Sequence, residues 1–166
     1  MARYYYASGE RIPIELDEEQ VAVDAERAGP AEAQALQARA GPSPRLPGGV
    51  MLLSRRRVGE KALEGLAARG ALRPVYRAQG AALVALPEVR VEVDGEAQRQ
   101  AVHQALSRSP HAVEIAEERP DGFVLRICSG SGDEALEVAN FLHEAAHPAA
   151  ASARLVRFVA RPEPGR

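Results

Sequence analysis

The order of strand and helix patterns in the second half of the chain constrains the fold most. Between Val89 and Ala160 the sequence predicts strand, helix, strand, strand, helix and strand. The first strand, Arg90–Asp94, alternates apolar and charged side chains, which indicates that one face of the sheet is buried. The last strand, Arg154–Ala160, also alternates apolar residues with others. This order of elements is that of one complete ferredoxin-like unit.

Two helices in this half are predicted from apolar side chains spaced three or four residues apart. The first carries a stripe of small and aliphatic residues: Ala97, Ala101, Val102, Ala105 and Leu106. The second begins with Ser131 and Glu134, which have the spacing of a capping box. Between the helices, Ala112–Glu117 and Phe123–Cys128 are predicted strands, and the sequence RPDG at 119–122 predicts the turn that joins them.

The first half of the chain predicts a related but degenerate unit. Arg3–Tyr6 and Arg11–Leu16 form an N-terminal hairpin, after which the patterns indicate strand, helix, strand, helix, strand and strand. Pro87 marks the boundary. The sequence therefore predicts an α+β fold of two small ferredoxin-like (βαββαβ-type) units in tandem. Residues 1–87 hold the hairpin and the degenerate unit, and residues 88–166 hold the ferredoxin-like domain with a C-terminal tail.

Charge and composition exclude several classes of partner. The formal net charge is −2 at pH 7, and 21 basic residues are interspersed among 23 acidic ones, so no nucleic-acid partner is predicted. The only basic run, Arg55-Arg56-Arg57, is interpreted as a solvated loop. No membrane partner is predicted, because no apolar run has the length of a membrane span. A single cysteine and the absence of a signal-peptide core favour a cytoplasmic location.

The string HEAAH at residues 143–147 matches the pattern of zinc peptidases. On a helix, His143 and His147 would point the same way and could hold zinc, while Glu144 could act as the base. However, Pro148 ends the helix directly after the second histidine, and only Glu163 follows as a possible third ligand. The preferred prediction is therefore that no metal binds, and a small zinc hydrolase using these three residues is an alternative hypothesis.

Other candidate sites do not assemble into catalytic chemistry. The loop Cys128–Gly132 lies between a strand and a helix, where phosphates often bind, but the acidic Asp133 and Glu134 follow it. Cys128 could act as a nucleophile only with a nearby base such as His103 or His111. It is interpreted instead as a small buried thiol. The sequence thus predicts no catalytic residues, no cofactor and no enzyme activity.

The three consecutive tyrosines Tyr4–Tyr6 are interpreted mainly as packing residues of the hairpin. A further alternative is that the chain is a regulatory or scaffold domain that acts through oligomerisation or a small ligand. In that case, this tyrosine hairpin would be the contact surface.

Several stretches of the chain resemble a known family. They are YYYASGERIP at 4–13 followed by VAV at 21–23, LRPVYR at 72–77, and EVANFL at 137–142 followed by LVRF at 155–158. Together they resemble the N-terminal propeptide-like region of bacterial subtilisin-like serine proteases, and the similarity spans nearly the whole chain. This chain has no catalytic domain, so it corresponds to a free-standing partner or to a piece of a longer protease.

The resemblance implies a non-catalytic module that binds and inhibits a subtilisin-like serine protease, or assists its folding as an intramolecular chaperone does. In that family the sheet lies against helices of the protease, and the segment after the last strand enters the substrate cleft. That segment would here be the tail formed by Arg161, Pro162, Glu163, Pro164, Gly165 and Arg166. The chain departs from the family where Ala160-Arg161-Pro162 replaces the expected acidic residue and proline.

Overall fold

The computed structural model describes residues 3–41, 45–46 and 48–159. The strands are β1 (Arg3–Ala7), β2 (Glu10–Leu16), β3 (Gln20–Asp24), β4 (Arg45–Leu46), β5 (Val50–Ser54), β6 (Leu72–Arg73), β7 (Val75–Ala78), β8 (Ala81–Glu92), β9 (Val113–Arg119), β10 (Gly122–Ile127) and β11 (Ala150–Phe158). The helices are α1 (Ala25–Ala28), α2 (Pro30–Ala40), α3 (Arg55–Val58), α4 (Glu60–Ala68), α5 (Glu96–Leu106) and α6 (Gly132–Ala146). None of these helices has both the length and the hydropathy that crossing a membrane requires.

The predicted α+β class is confirmed, with antiparallel pairing in the sheets. The expected arrangement of two small units in tandem is not confirmed. Seven strands are joined by hydrogen bonds in the order β1-β2-β7-β8-β10-β9, with β11 also paired to β8. A second sheet has four strands in the order β4-β5-β3-β6. The larger sheet therefore exceeds what a small βαββαβ unit contains.

Strand β8 explains part of this difference. The sequence predicts separate strands before and after Pro87, but β8 continues through this residue. Its first residues pair with β7, from Ala81 to Val84, and its last residues pair with β10, from Glu88 to Glu92. Pro87 lies between the two paired stretches, so its missing N–H removes no hydrogen bond from either ladder.

The chain divides into two compact units, each built from segments that are distant in sequence. One contains the chain up to Ile14 together with Ala85–Leu155, and we call it the α6 unit. The other contains Glu15–Val84 together with the described residues from Val156, and we call it the repeat unit. The division into residues 1–87 and 88–166 remains a prediction.

In the α6 unit, the strands of the βαββαβ segment pair in the order β9-β10-β8-β11. The buried face of this sheet carries alternate residues of β8 and β10: Val89, Val91, Phe123, Leu125 and Ile127. Helix α5 lies on this face, because His103 meets the ring of Phe123 edge-on. Helix α6 packs against α5 and β10 and buries its own apolar stripe: Ala135, Leu136, Val138, Ala139, Leu142 and Ala146.

The repeat unit contains an internal duplication. The strand, short helix, glycine and longer helix that begin at Gln20 recur in the same order, and at a constant spacing, from Val50. Gly29 and Gly59 occupy equivalent places and adopt nearly the same backbone angles, φ 91° with ψ 154° and φ 83° with ψ 150°. This left-handed φ favours glycine. Leu36 and Leu66 are also equivalent, and both lie in the core at 1% exposure.

Reciprocal contacts join the two repeats about an approximate two-fold axis. Strands β3 and β5 are antiparallel, and the equivalent residues Ala22 and Leu52 lie directly opposite each other. The guanidinium of Arg39 donates to the carbonyl of Val58 at 3.4 Å, and its equivalent Arg69 donates to Ala28 at 3.1 Å. These carbonyls are at the ends of α3 and α1, where a positive charge is favourable.

Candidate functional site

A group of connected polar side chains in the α6 unit lies where β1 meets α6. We call it the Glu144 cluster, and it consists of Tyr4, Tyr6, Arg11, His143 and Glu144. The hydroxyls of Tyr4 and Tyr6 both donate to Oε1 of Glu144, at 2.6 Å and 2.9 Å. The guanidinium of Arg11 lies 3.7 Å from the same oxygen. The cluster therefore concentrates two donors and one positive charge on one carboxylate.

Ring contacts fix the geometry of this cluster. The ring of Tyr6 stacks on the imidazole of His143 with 3.8 Å between centroids. The guanidinium carbon of Arg11 lies 3.6 Å from the centroid of the Tyr4 ring, a cation–π contact. The side-chain amide of Asn140 also donates to the backbone carbonyl of Tyr4 at 2.9 Å. These contacts hold the hairpin along α6, so Tyr4 and Tyr6 are packing residues, as the sequence indicates.

Electrostatics in the cluster favour an ionised Glu144. The hydrogen bond from Tyr4 lowers the pKa of Glu144, and the bond from Tyr6 and the charge of Arg11 act in the same direction. The hydrogen bond to Glu144 raises the pKa of Tyr6. A carboxylate held as an anion and bonded to two phenols is a poor general base, because its proton affinity is reduced.

The same geometry bears on the HEAAH string at 143–147. Helix α6 ends at Ala146, and His147 has a left-handed backbone with φ 47° and ψ 51°. The i, i+4 arrangement that would direct His143 and His147 to one metal therefore stops before the second histidine. His143 stacks on Tyr6, and Glu144 is bonded to the tyrosines. Among the residues that the structure describes, no group of three or more histidine, cysteine, aspartate or glutamate side chains could hold a metal ion.

A second polar group, the His111 cluster, lies at the start of α6 and consists of His111, Ser129, Glu134 and Glu137. His111 hydrogen-bonds through Nε2 to Glu137 and faces Oε1 of Glu134 through Nδ1 at 3.5 Å. The hydroxyl of Ser129 donates to the other oxygen of Glu134. Both imidazole nitrogens of His111 therefore face carboxylates. The cluster braces the loop before β9 against α6.

The loop Cys128–Gly132 is a capped helix start, as the sequence indicates. The side chain of Ser131 accepts a hydrogen bond from the backbone N–H of Glu134. Burial raises the pKa of Asp133 in the first turn. The interpretation of Cys128 as a buried thiol is wrong: β10 ends at Ile127, and Cys128 is exposed.

The arginine run at residues 55–57 and the C-terminal tail are also interpreted from the sequence. The run Arg55-Arg56-Arg57 is helical in α3, and Arg57 donates to the carbonyl of Ala40 at 3.0 Å, so it is not a loop. The tail Arg161–Arg166 lies outside the residues that the structure describes.

The spacing of two tyrosines in the sequence indicates one part of the Glu144 cluster. Tyr4 and Tyr6 are two residues apart in a predicted strand, so they share one face. The sequence does not show which helix this face of the strand contacts, because that depends on strand pairing, which local periodicity does not determine.

Comparisons of the chain with protein-family models, with curated proteins and with solved structures found no match.

Proposed function

We propose that this chain is a non-catalytic, propeptide-like module that binds a subtilisin-like serine protease and inhibits it or assists its folding. The observation that carries the proposal is the sheet of the α6 unit. Its strands follow the order β9-β10-β8-β11, with helices on one face and exposed polar residues on the other. This order is that of a ferredoxin-like domain, the fold that the family resemblance implies. Because function must be argued from a site and not from the fold alone, the proposal rests on the open sheet face as a surface that a protein partner can contact.

The open face offers charged side chains to a partner. Glu88, Arg90 and Glu92 project from β8 on the side opposite the buried valines. The side chain of Arg90 is 63% exposed, and its Nε lies 3.4 Å from Oε1 of Glu88. Arg154 on β11 faces Glu88 at 3.7 Å. Exposed ion pairs of this kind contribute little to stability, so they can exchange partners at low cost.

The first half of the chain would be a degenerate ferredoxin-like unit, and the tail Arg161–Arg166 would enter the protease cleft. Neither a nucleic acid nor a membrane would be a partner. The module would act in the cytoplasm, a location favoured by its single cysteine.

Inhibition of a purified bacterial subtilisin-like protease tests the proposal. We expect the chain to slow hydrolysis of a chromogenic peptide and to raise the yield when the protease is refolded from denaturant. Arg90→Glu should weaken inhibition about tenfold, because reversing the charge of this exposed side chain disturbs the electrostatic complementarity between the open sheet face and the protease.

The matched control is Arg56→Glu, which makes the same charge change at an exposed residue of the repeat unit. It should leave inhibition unchanged. An unaltered rate of proteolysis together with an unaltered refolding yield would reject the proposed function.

A further inference from the structure

Strand β9 forms an accessible edge of the sheet in the α6 unit. It pairs with β10 on one side and is the terminal strand in the pairing order. Among the described residues, no strand pairs with its other side. Every side chain from Glu114 to Arg119 is exposed, including the apolar Ile115 at 39%. The backbone of β9 therefore presents N–H and C=O groups that a further strand can bond.

The charges on β9 select the kind of strand that can pair with it. The strand carries Glu114, Glu117 and Glu118 against one basic residue, Arg119. Glu118 accepts a hydrogen bond from Arg99 at 2.8 Å, and Glu117 accepts from Arg119 at 2.7 Å. The edge is thus acidic: Glu114 makes no ion pair among the described residues, and Glu117 is paired with the exposed Arg119.

The same charges disfavour a second copy of this chain as the occupant. If two β9 strands paired antiparallel about Ala116, Glu114 of each would lie opposite Glu118 of the other. Like charges directly opposite each other destabilise a strand pair.

We propose that β9 is the docking edge for an extended, positively charged segment of the protein partner, which adds to the sheet as one more strand. Main-chain hydrogen bonds to β9 supply affinity, and basic side chains opposite Glu114 and Glu117 supply selectivity. This inference rests on the proposed binding function and specifies where the partner's chain lies.

The test is an NMR titration of the uniformly ¹⁵N-labelled chain with a synthetic peptide of the length of β9 in which arginine alternates with valine. We expect amide shifts concentrated in β9 and β10, with a dissociation constant of about 1 mM or tighter. A peptide with glutamate in place of arginine should not bind. A basic peptide with alternate backbone nitrogens methylated should bind at least fivefold more weakly, because strand addition needs its N–H groups.

Two charge reversals locate the contact. Glu114→Arg should weaken peptide binding about tenfold, whereas Glu64→Arg, the same change at an exposed residue of α4, should leave it unchanged. Equal binding of the methylated peptide, or equal effects of the two variants, would overturn the proposal.

The titration contains no protease, so its result is independent of the inhibition assay. Peptide binding at β9 without inhibition would reject only the protease as partner. Inhibition that Glu114→Arg leaves unchanged would reject only β9 as the docking edge.

Discussion

The carboxylate of Glu144 on α6 contacts the N-terminal hairpin through Tyr4, Tyr6 and Arg11. The HEAAH string would make it the base of a zinc site, but its Oε1 accepts bonds from two tyrosines of β1. The motif specifies only spacing along the chain. Its chemistry depends on the helix continuing to His147, which Pro148 prevents. The helix end at Pro148 is predictable from the sequence. The tyrosines that bond Glu144 are 138 and 140 residues away, and no local pattern predicts that contact.

Replacing Glu144 should loosen the hairpin in a measurable way. Glu144→Gln keeps the shape of the side chain but removes the charge that strengthens the tyrosine bonds. Because 46% of the Glu144 side chain is exposed, we expect a loss of only about 1 kcal/mol in the free energy of unfolding. Thermal unfolding followed by the near-ultraviolet circular dichroism of the tyrosines measures the change. Glu64→Gln, on the exposed side of α4, is the control and should have no effect.

The effect of this substitution should depend on pH in one direction. The pKa of Glu144 is lowered in the folded chain, so its contribution is fully present above the unfolded carboxyl pKa of about 4.3. The contribution is lost as the pH falls through the lower, folded-state pKa. The native chain and Glu144→Gln should therefore differ at pH 7 and converge at acid pH. A difference in unfolding midpoint that does not shrink as the pH is lowered would contradict an ionised Glu144 as the source of the stabilisation.

Among the elements, β8 and the duplicated repeat mark the limits of what periodicity predicts. The alternation of apolar and polar residues correctly predicts strands on both sides of Pro87. The proline itself predicts a strand end there, but β8 continues through it. Whether a proline ends a strand depends on which neighbours bond to that residue, and pairing partners are not encoded locally. The duplication lies in the sequence as pairs such as Gly29 with Gly59 and Arg39 with Arg69. Few of the paired residues are identical, so the duplication is hard to see in the sequence. It becomes evident from the common backbone angles and the reciprocal contacts of the two repeats.

The start of α6 should tolerate no side chain at Gly132. A Cβ added there would lie 1.9 Å from the carbonyl oxygen of Ala85 on β8, and backbone on both sides leaves little room for adjustment. We expect Gly132→Ala to reduce the free energy of unfolding by about 3 kcal/mol or more, measured by denaturant titration.

The matched control for this substitution is Gly65→Ala, within α4. A Cβ at this residue would meet nothing within 4 Å, and alanine is the better helix former, so a gain of about 0.5–1 kcal/mol is expected. Similar effects of the two substitutions would show that α6 does not approach β8 as closely as described.

At the scale of the whole molecule, the α+β class followed from the sequence because each element has its own periodicity. Which strands join into one sheet did not follow. The bonding of β2 to β7 joins Glu15 to Arg77, residues far apart in the chain with no shared local signal. The fold thus combines locally predictable elements with strand pairing that only the structure reveals.

The sheet and the tail should contribute to the proposed function in separate ways. If the proposed function is right, a chain truncated after Val159 retains the sheet and loses the segment Arg161–Arg166 proposed for the protease cleft. It should still bind the protease and raise its refolding yield, while inhibition of peptide hydrolysis falls at least tenfold. Binding is measured with catalytically inactivated protease by calorimetry, and inhibition with the active enzyme. Undiminished inhibition by the truncated chain would remove the tail from the mechanism, because the cleft would then be blocked by some other part of the module.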